Sequence, residues 1–243
     1  MDLRGRRALV TGAGHRVGQA IAVALGGRGM RVAVHYNSHA DGARDTARAI
    51  EKAGGSGQLF AADLTRARGA NQLIDDVAAS FGGLDVLVNS AAVMIRTPFG
   101  EITPEQWDGI MSLNLRAPFF LAQAAAPHLR EAQGAVVNIA DLAAFETWPG
   151  YLPHGLSKAG VVYMTRALAR VLAPEVRVAG VAPGTVLLPD NWTGADEERL
   201  RRTTPLQRTG SPADVTATVL FILDSDYLTG ETIIVDGGRH VRA

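Results

Sequence analysis

The chain has 243 residues, 47% of them hydrophobic and 20% charged, which supplies apolar material for a sizeable core and argues against disorder. Its 24 basic residues balance 24 acidic ones, so the net field that gathers nucleic acid or anionic lipid is missing and no such partner is expected. The absence of cysteine excludes disulfides, thiolate metal sites and cysteine nucleophiles, and fits a reducing cytoplasm.

Met1 to Arg7 holds three arginines and one acid ahead of a short strand, and no run approaches the roughly 20 apolar residues of a membrane span. Neither a secretion signal nor a membrane anchor is expected. The first strand, over 7–11, runs into Thr11-Gly-Ala-Gly-His-Arg-Val-Gly18. Such a strand-to-helix turn suits a pyrophosphate. Gly12 permits the sharp turn, Gly14 a close backbone approach and Gly18 tight packing, while the helix over 16–28 presents amide donors and a positive dipole end. His15, Arg16 and Val17 complete the loop. The second strand, 31–36, decides which dinucleotide is held. An NAD site places a carboxylate there against the ribose hydroxyls, whereas here Tyr36, Asn37 and Ser38 follow and no acid appears before Asp41. Arg16, with His15 beside it, can reach the same region, and a guanidinium matches a 2′-phosphate in geometry and charge. NADP(H) is the expected cofactor.

Further strands are expected over 57–62, 84–89, 134–139, 176–182 and 232–235, alternating with helical stretches over 40–53, 66–81, 104–132, 153–173 and 212–223. Thr103-Pro104-Glu105 and Ser211-Pro212, with Asp214, carry helix-start signals. The stretch 183–209 shows no regular period and reads as a lid or binding segment. Repeated strand–helix units of this kind build a parallel sheet with helices on both faces. One domain over 1–243 is expected: an α/β, doubly wound, seven-stranded parallel sheet of the Rossmann type. The six histidines show no metal-ligand spacing, and no metal site is expected.

Four further segments bear on function: Asp63-Leu64 after the third strand, Asn89-Ser90-Ala91 after the fourth, Asn114 in Ser-Leu-Asn-Leu, and Pro183-Gly184. With the glycine turn and the closing Val-Asp-Gly-Gly238, their order resembles the short-chain dehydrogenase/reductase family across essentially the whole chain. The resemblance implies that Asp63 and Leu64 contact adenine and that Asn89, Ser90 and Ala91 line the cofactor. It makes Asn114 a structural and proton-relay asparagine, and Pro183, Gly184 and Val186 the turn beside the nicotinamide. It also implies a homotetramer.

In that family a serine, a tyrosine 13 positions on and a lysine four further carry the proton chemistry of hydride transfer; here those spacings hold Asp141, His154 and Lys158. By the resemblance, Lys158 binds the nicotinamide ribose. Reducing a C=O or C=N bond of a small molecule needs a proton as well as a hydride, and a histidine beside a carboxylate can donate it near neutral pH. Two readings stay open: a reductase in which Asp141, His154 and Lys158 replace the usual trio, or an NADP-binding protein with lost or repurposed catalysis, regulatory or non-redox. Tyr151, seven residues before Lys158, is off its i, i+4 face and reads instead, with Met94, Trp148 and Trp192, as the substrate wall. Pro189, Asp190 and Asn191 read as a gate or a turn. Asp141, Arg16 and His35-Tyr36 resemble the pteridine-reductase branch, while Met94 and Ser38 depart from it; the substrate is expected to be pterin-like or another carbonyl.

Overall fold

The computed structural model describes residues 1–188 and 193–241, so Trp192, with Pro189, Asp190 and Asn191, lies outside the described residues. Short runs rich in Val, Ile and Leu form β1 (Arg7–Val10), β2 (Arg31–Tyr36), β3 (Ser56–Ala61), β4 (Val86–Asn89), β5 (Ala135–Ile139), β6 (Arg177–Pro183) and β7 (Thr232–Val235). All pair in parallel in one sheet of order β3-β2-β1-β4-β5-β6-β7. The helices between them are α1 (Arg16–Gly27), α2 (Ala40–Lys52), α3 (Gly69–Phe81), α4 (Pro104–Met111), α5 (Ala117–Glu131), α6 (Leu152–Leu172), α7 (Gly194–Thr203) and α8 (Pro212–Asp224).

A parallel sheet needs cover on both faces, so its inner strands read as continuous apolar runs rather than alternating ones. Successive side chains still point to opposite sides. Val86 and Val88 pack with Ile21 and Leu25 of α1 and with Val219 and Ile222 of α8. Leu87, between them, packs with Leu73 of α3 and Leu121 of α5 on the other side. From β1 the chain winds outward through β2 and β3, then returns to lay down β4 on β1's other side. That reversal opens a crevice outside the carboxyl ends of β1 and β4, the place where such sheets take their ligands.

Two expectations need correction. The helix expected over 104–132 is interrupted by a π-helical turn, Ser112–Arg116, which carries the buried Asn114; the apolar spacing runs on across it and hides the break. The stretch 183–209 is not wholly irregular, because α7 lies within it. Its charged sequence buries only Leu200, so no apolar stripe was there to read, and its one local signal is the capping box between Thr193 and Asp196. The other capping boxes, at Thr103 and Ser211, form where expected. Among the described residues no helix is long and apolar enough to cross a membrane.

Candidate active site

A cavity of about 960 Å³ occupies the crevice, at the upper end of the roughly 300–1,000 Å³ that ligand pockets span. At one end lies the glycine turn. Gly12 sits at φ +65°, and a Cβ there would lie 2.9 Å from the Ala91 Cα; on Gly18 it would lie 2.3 Å from the Gly12 carbonyl oxygen. No side chain caps α1 and its first turn holds no acid, which leaves its leading N–H groups for an anion. Gly14 has a job beyond the one expected. Its carbonyl oxygen sits 2.1 Å from where a Cβ on Gly42 would be, so the two glycines let α2 lie against the turn. Arg16 departs most from expectation. It takes the left-handed φ of +53°, and its Nη2 donates to the Leu187 carbonyl at 3.3 Å.

Beneath the turn, His35 accepts from the Gly12 N–H at Nδ1 (3.1 Å). Its Nε2 therefore carries the proton and donates to the Ala62 carbonyl, also at 3.1 Å. Burial pushes the imidazole down to about 4, which keeps it neutral. Thr11 Oγ1 accepts from the N–H groups of Ser90 and Ala91, both at 3.0 Å, and ties the end of β1 to the end of β4. Asp63 lies on the wall with its carboxylate already accepting from Thr65 and Arg66, hydrogen bonds that hold it below the usual range. His15, Val17, Tyr36, Asn37, Ser38 and Leu64 line the same cavity. His39 joins them, its ring stacked on His15 with centroids 4.6 Å apart.

At the other end, a 3₁₀ turn Leu142–Ala144 is capped by Asp141, whose Oδ1 accepts from the Ala143 N–H at 2.8 Å. The capping leaves Oδ2 facing His154 on the first turn of α6, 3.6 Å from Nε2. Asn114 fixes the other side of that ring indirectly. Its Oδ1 accepts from the Val93 N–H (2.8 Å) and its Nδ2 donates to the Val93 carbonyl (2.9 Å), which assigns the amide orientation. The same carbonyl lies 3.2 Å from His154 Nδ1 and accepts from it. Nδ1 thus carries a proton, and Nε2, buried and without a hydrogen-bond partner, faces a carboxylate oxygen. One turn on, the buried Lys158 donates from Nζ to the Ile139 carbonyl at 2.8 Å, and burial brings its ammonium down to about 8.

Asp141, His154, Lys158, Met94, Trp148 and Tyr151 share this end, and Pro183, Gly184 and Val186 border it. Two residues expected at the site are not on the wall. Asn89 is buried in the sheet, its Nδ2 donating to Asn138 Oδ1 at 2.9 Å, and Asn114 lies behind Val93. Both shape the wall from one layer out, because their amides are taken up by other buried groups. Residues absent from the sequence reading are His39, Arg96 and Arg239, isolated polar side chains with no period to betray them.

The chain is similar to known proteins over nearly its whole length. The family model described as enoyl-(acyl carrier protein) reductase matches residues 12–240. A 3beta-hydroxysteroid dehydrogenase of Eggerthella lenta is 34% identical over 246 residues, covering 98% of this chain and 94% of that protein. A 3-oxoacyl-(acyl-carrier-protein) reductase of Staphylococcus aureus is 32% identical over 242 residues, covering 97% and 98% respectively. Among solved structures, a Sinorhizobium meliloti protein assigned as a short-chain alcohol dehydrogenase matches with a TM-score of 0.93 at 37% identity, over 100% of this chain and 99% of that one.

Proposed function

The chain belongs to the short-chain dehydrogenase/reductase family and is an oxidoreductase of that type, and from that premise we propose that it reduces a C=O or C=N bond of a small molecule with NADPH, using His154 as the proton donor. The observation that carries this reading is His154 Nε2: buried, unpartnered, and 3.6 Å from Asp141 Oδ2 on the cavity wall. A buried polar group gains about 1–3 kcal/mol from a partner, so this nitrogen is the atom on the wall best suited to meet a substrate oxygen or nitrogen.

The glycine turn fits a dinucleotide pyrophosphate, because the space a Cβ would fill at Gly12 and Gly18 is taken by backbone and the uncapped end of α1 faces the cavity. Arg16, with no acid between Tyr36 and Asp41, supports the 2′-phosphorylated form. The bound nicotinamide supplies the hydride. Val93 then holds the imidazole by Nδ1, Asp141 Oδ2 lies beside Nε2, and Nε2–H of the protonated ring delivers the proton to the substrate oxygen or nitrogen. Lys158 keeps two donors beyond the Ile139 bond for the ribose hydroxyls. We read the protein as a cytoplasmic homotetramer, with the exposed Phe119 and Phe120 of α5 and Tyr163 and Val171 of α6 as contact surface.

The test is NADPH oxidation with a panel of ketones, oxoacyl thioesters and pterins, the last chosen for the branch that Asp141 and Arg16 resemble. Turnover that is lost in His154→Ala is the expected result. Tight NADPH binding without turnover of the panel, together with activity created by His154→Tyr, favours the alternative in which the cofactor site was kept and catalysis lost or repurposed.

A further inference from the structure

Beyond His154, the cavity is lined by a cationic pair that the proton chemistry does not use. Arg239 begins the 3₁₀ turn Arg239–Val241 that follows β7, and its guanidinium lies 5.8 Å above the ring of Trp148. Its Nε is buried without a hydrogen-bond partner, 3.6 Å from Glu146 Oε2. That carboxylate oxygen already accepts from Trp148 Nε1 at 2.9 Å. Only Nη1 meets an acceptor, Thr185 Oγ1 at 3.4 Å. Arg239 is therefore held in place from below by an aromatic face and a spectator carboxylate, with most of its donors unused among the described residues. Arg96 lines the same cavity. Its side chain lies beside Gly150, where a Cβ would sit 3.6 Å from Nε, and among the described residues it has no hydrogen bond or ion pair.

Both arginines line the cavity that contains His154, Met94 and Tyr151. Glu146 offsets one of the two charges, and Asp141 is engaged with Ala143 and His154. The substrate end thus carries one positive charge, that of the exposed Arg96, with no acidic partner among the described residues, beside the half-buried guanidinium of Arg239. A guanidinium braced by a ring presents its fork to one ligand shape above others, a planar carboxylate.

We propose that the substrate is a small oxo acid, whose carboxylate is received by Arg239 and Arg96 while its oxo group meets His154 Nε2. The proposal rests on the reductase reading for the second contact but not for the first.

The experiment uses the protein saturated with NADP(H) and two measurements. Calorimetric titration with non-reducible aromatic carboxylates and their primary amides reads the anion contact without turnover. Steady-state NADPH oxidation with an oxo acid and its methyl ester reads the same preference in catalysis. In the wild type the carboxylate is expected to bind at least about tenfold more tightly than the amide, the worth of one charge-assisted pair. Arg239→Gln is expected to erase that preference and Arg239→Lys to restore part of it; the exposed Arg96→Gln, which carries no risk to folding, is expected to reduce it. Equal binding of acid and amide in the wild type, or a preference unaltered by Arg239→Gln and Arg96→Gln together, overturns the proposal. Turnover of neutral ketones with no carboxylate preference keeps the reductase and rejects the oxo acid. Selective carboxylate binding with no turnover does the reverse.

Discussion

The two ends of the cavity treat a buried basic group in opposite ways. At the cofactor end His35 is neutral and complete, with Gly12 on one ring nitrogen and Ala62 on the other. At the chemistry end Lys158 is buried with a single acceptor, Ile139, and its neighbour His154 leaves Nε2 unpartnered. One end is finished before any ligand arrives and holds the backbone in shape. The other is finished by the ligand, and until then it destabilises the fold. A shift of one pKa unit is about 1.4 kcal/mol, so an ammonium brought down to about 8 costs the folded chain about 3 kcal/mol at neutral pH. The division of labour is between a region that stores stability and a region that gives it up for reactivity.

The largest expected effect breaks the reactive end alone. His154→Ala is expected to lower kcat by roughly 10²–10⁴, the contribution of a general acid, with the NADPH dissociation constant unchanged. Lys158→Ala is expected to lower kcat and weaken NADPH binding together; an unchanged dissociation constant would remove Lys158 from the ribose. Lys158→Met adds the stability side of the comparison. Relief of the buried charge, about 3 kcal/mol, outweighs the lost hydrogen bond to Ile139, about 1 kcal/mol, so a net gain of about 2 kcal/mol is expected at pH 7. The folded state of the wild type binds fewer protons than the unfolded state between pH 8 and the free value of 10.5. Its stability should therefore rise across that interval, and the Lys158→Met curve should stay flat. Urea unfolding at pH 7 and pH 10 measures both.

At the finished end the sign is the same and the consequence opposite. His35 is held at about 4 against a free value of 6.5, so the unfolded chain takes up the proton first. Its contribution is intact above pH 6.5 and is lost as the pH falls toward 4, about 2 kcal/mol of it by pH 5. Protonation also removes the acceptor for the Gly12 N–H, so NADPH affinity should fall over the same interval. His35→Gln, which cannot titrate, should flatten the stability difference between pH 7 and pH 5; an unchanged difference assigns the acid loss to other groups.

The same contrast explains what the sequence made legible. The glycine turn and the seven strands of one parallel sheet follow from backbone requirements, and such requirements leave their mark on residue type and spacing, while Ser90, Ala91 and Pro183 are legible through the family resemblance. The reactive end depends on where side chains point. The spacing of Asp141, His154 and Lys158 put them in one region, but the freedom of Nε2 depends on Val93 and Asn114, far away in sequence and joined to it through a π turn that the apolar period conceals. Arg239 and His39 reach the cavity from the ends of a short 3₁₀ turn and of α2, where one polar residue looks like any other. α7 escaped because a helix that buries one leucine carries almost no amphipathic signal.

The smallest expected effect tests whether the finished end also discriminates. Arg16 holds a left-handed backbone that costs a residue other than glycine roughly 1–2 kcal/mol, in a loop whose other turning point is glycine. Strain kept at that position calls for a use of the side chain, and the guanidinium lines the cavity beside the Leu187 carbonyl, away from any protein carboxylate hydrogen bond among the described residues. Arg16→Gly separates the two explanations, because it relieves the backbone and deletes the cation at once. If Arg16 reads a 2′-phosphate, the variant is at least as stable as the wild type and binds NADPH about tenfold more weakly, the worth of one charge-assisted contact, while NADH binding is unchanged. An equal loss for both cofactors, read by titrating their fluorescence, makes Arg16 a brace for the Leu187 segment instead, and the preference for NADPH then has to come from the missing acid after β2 alone.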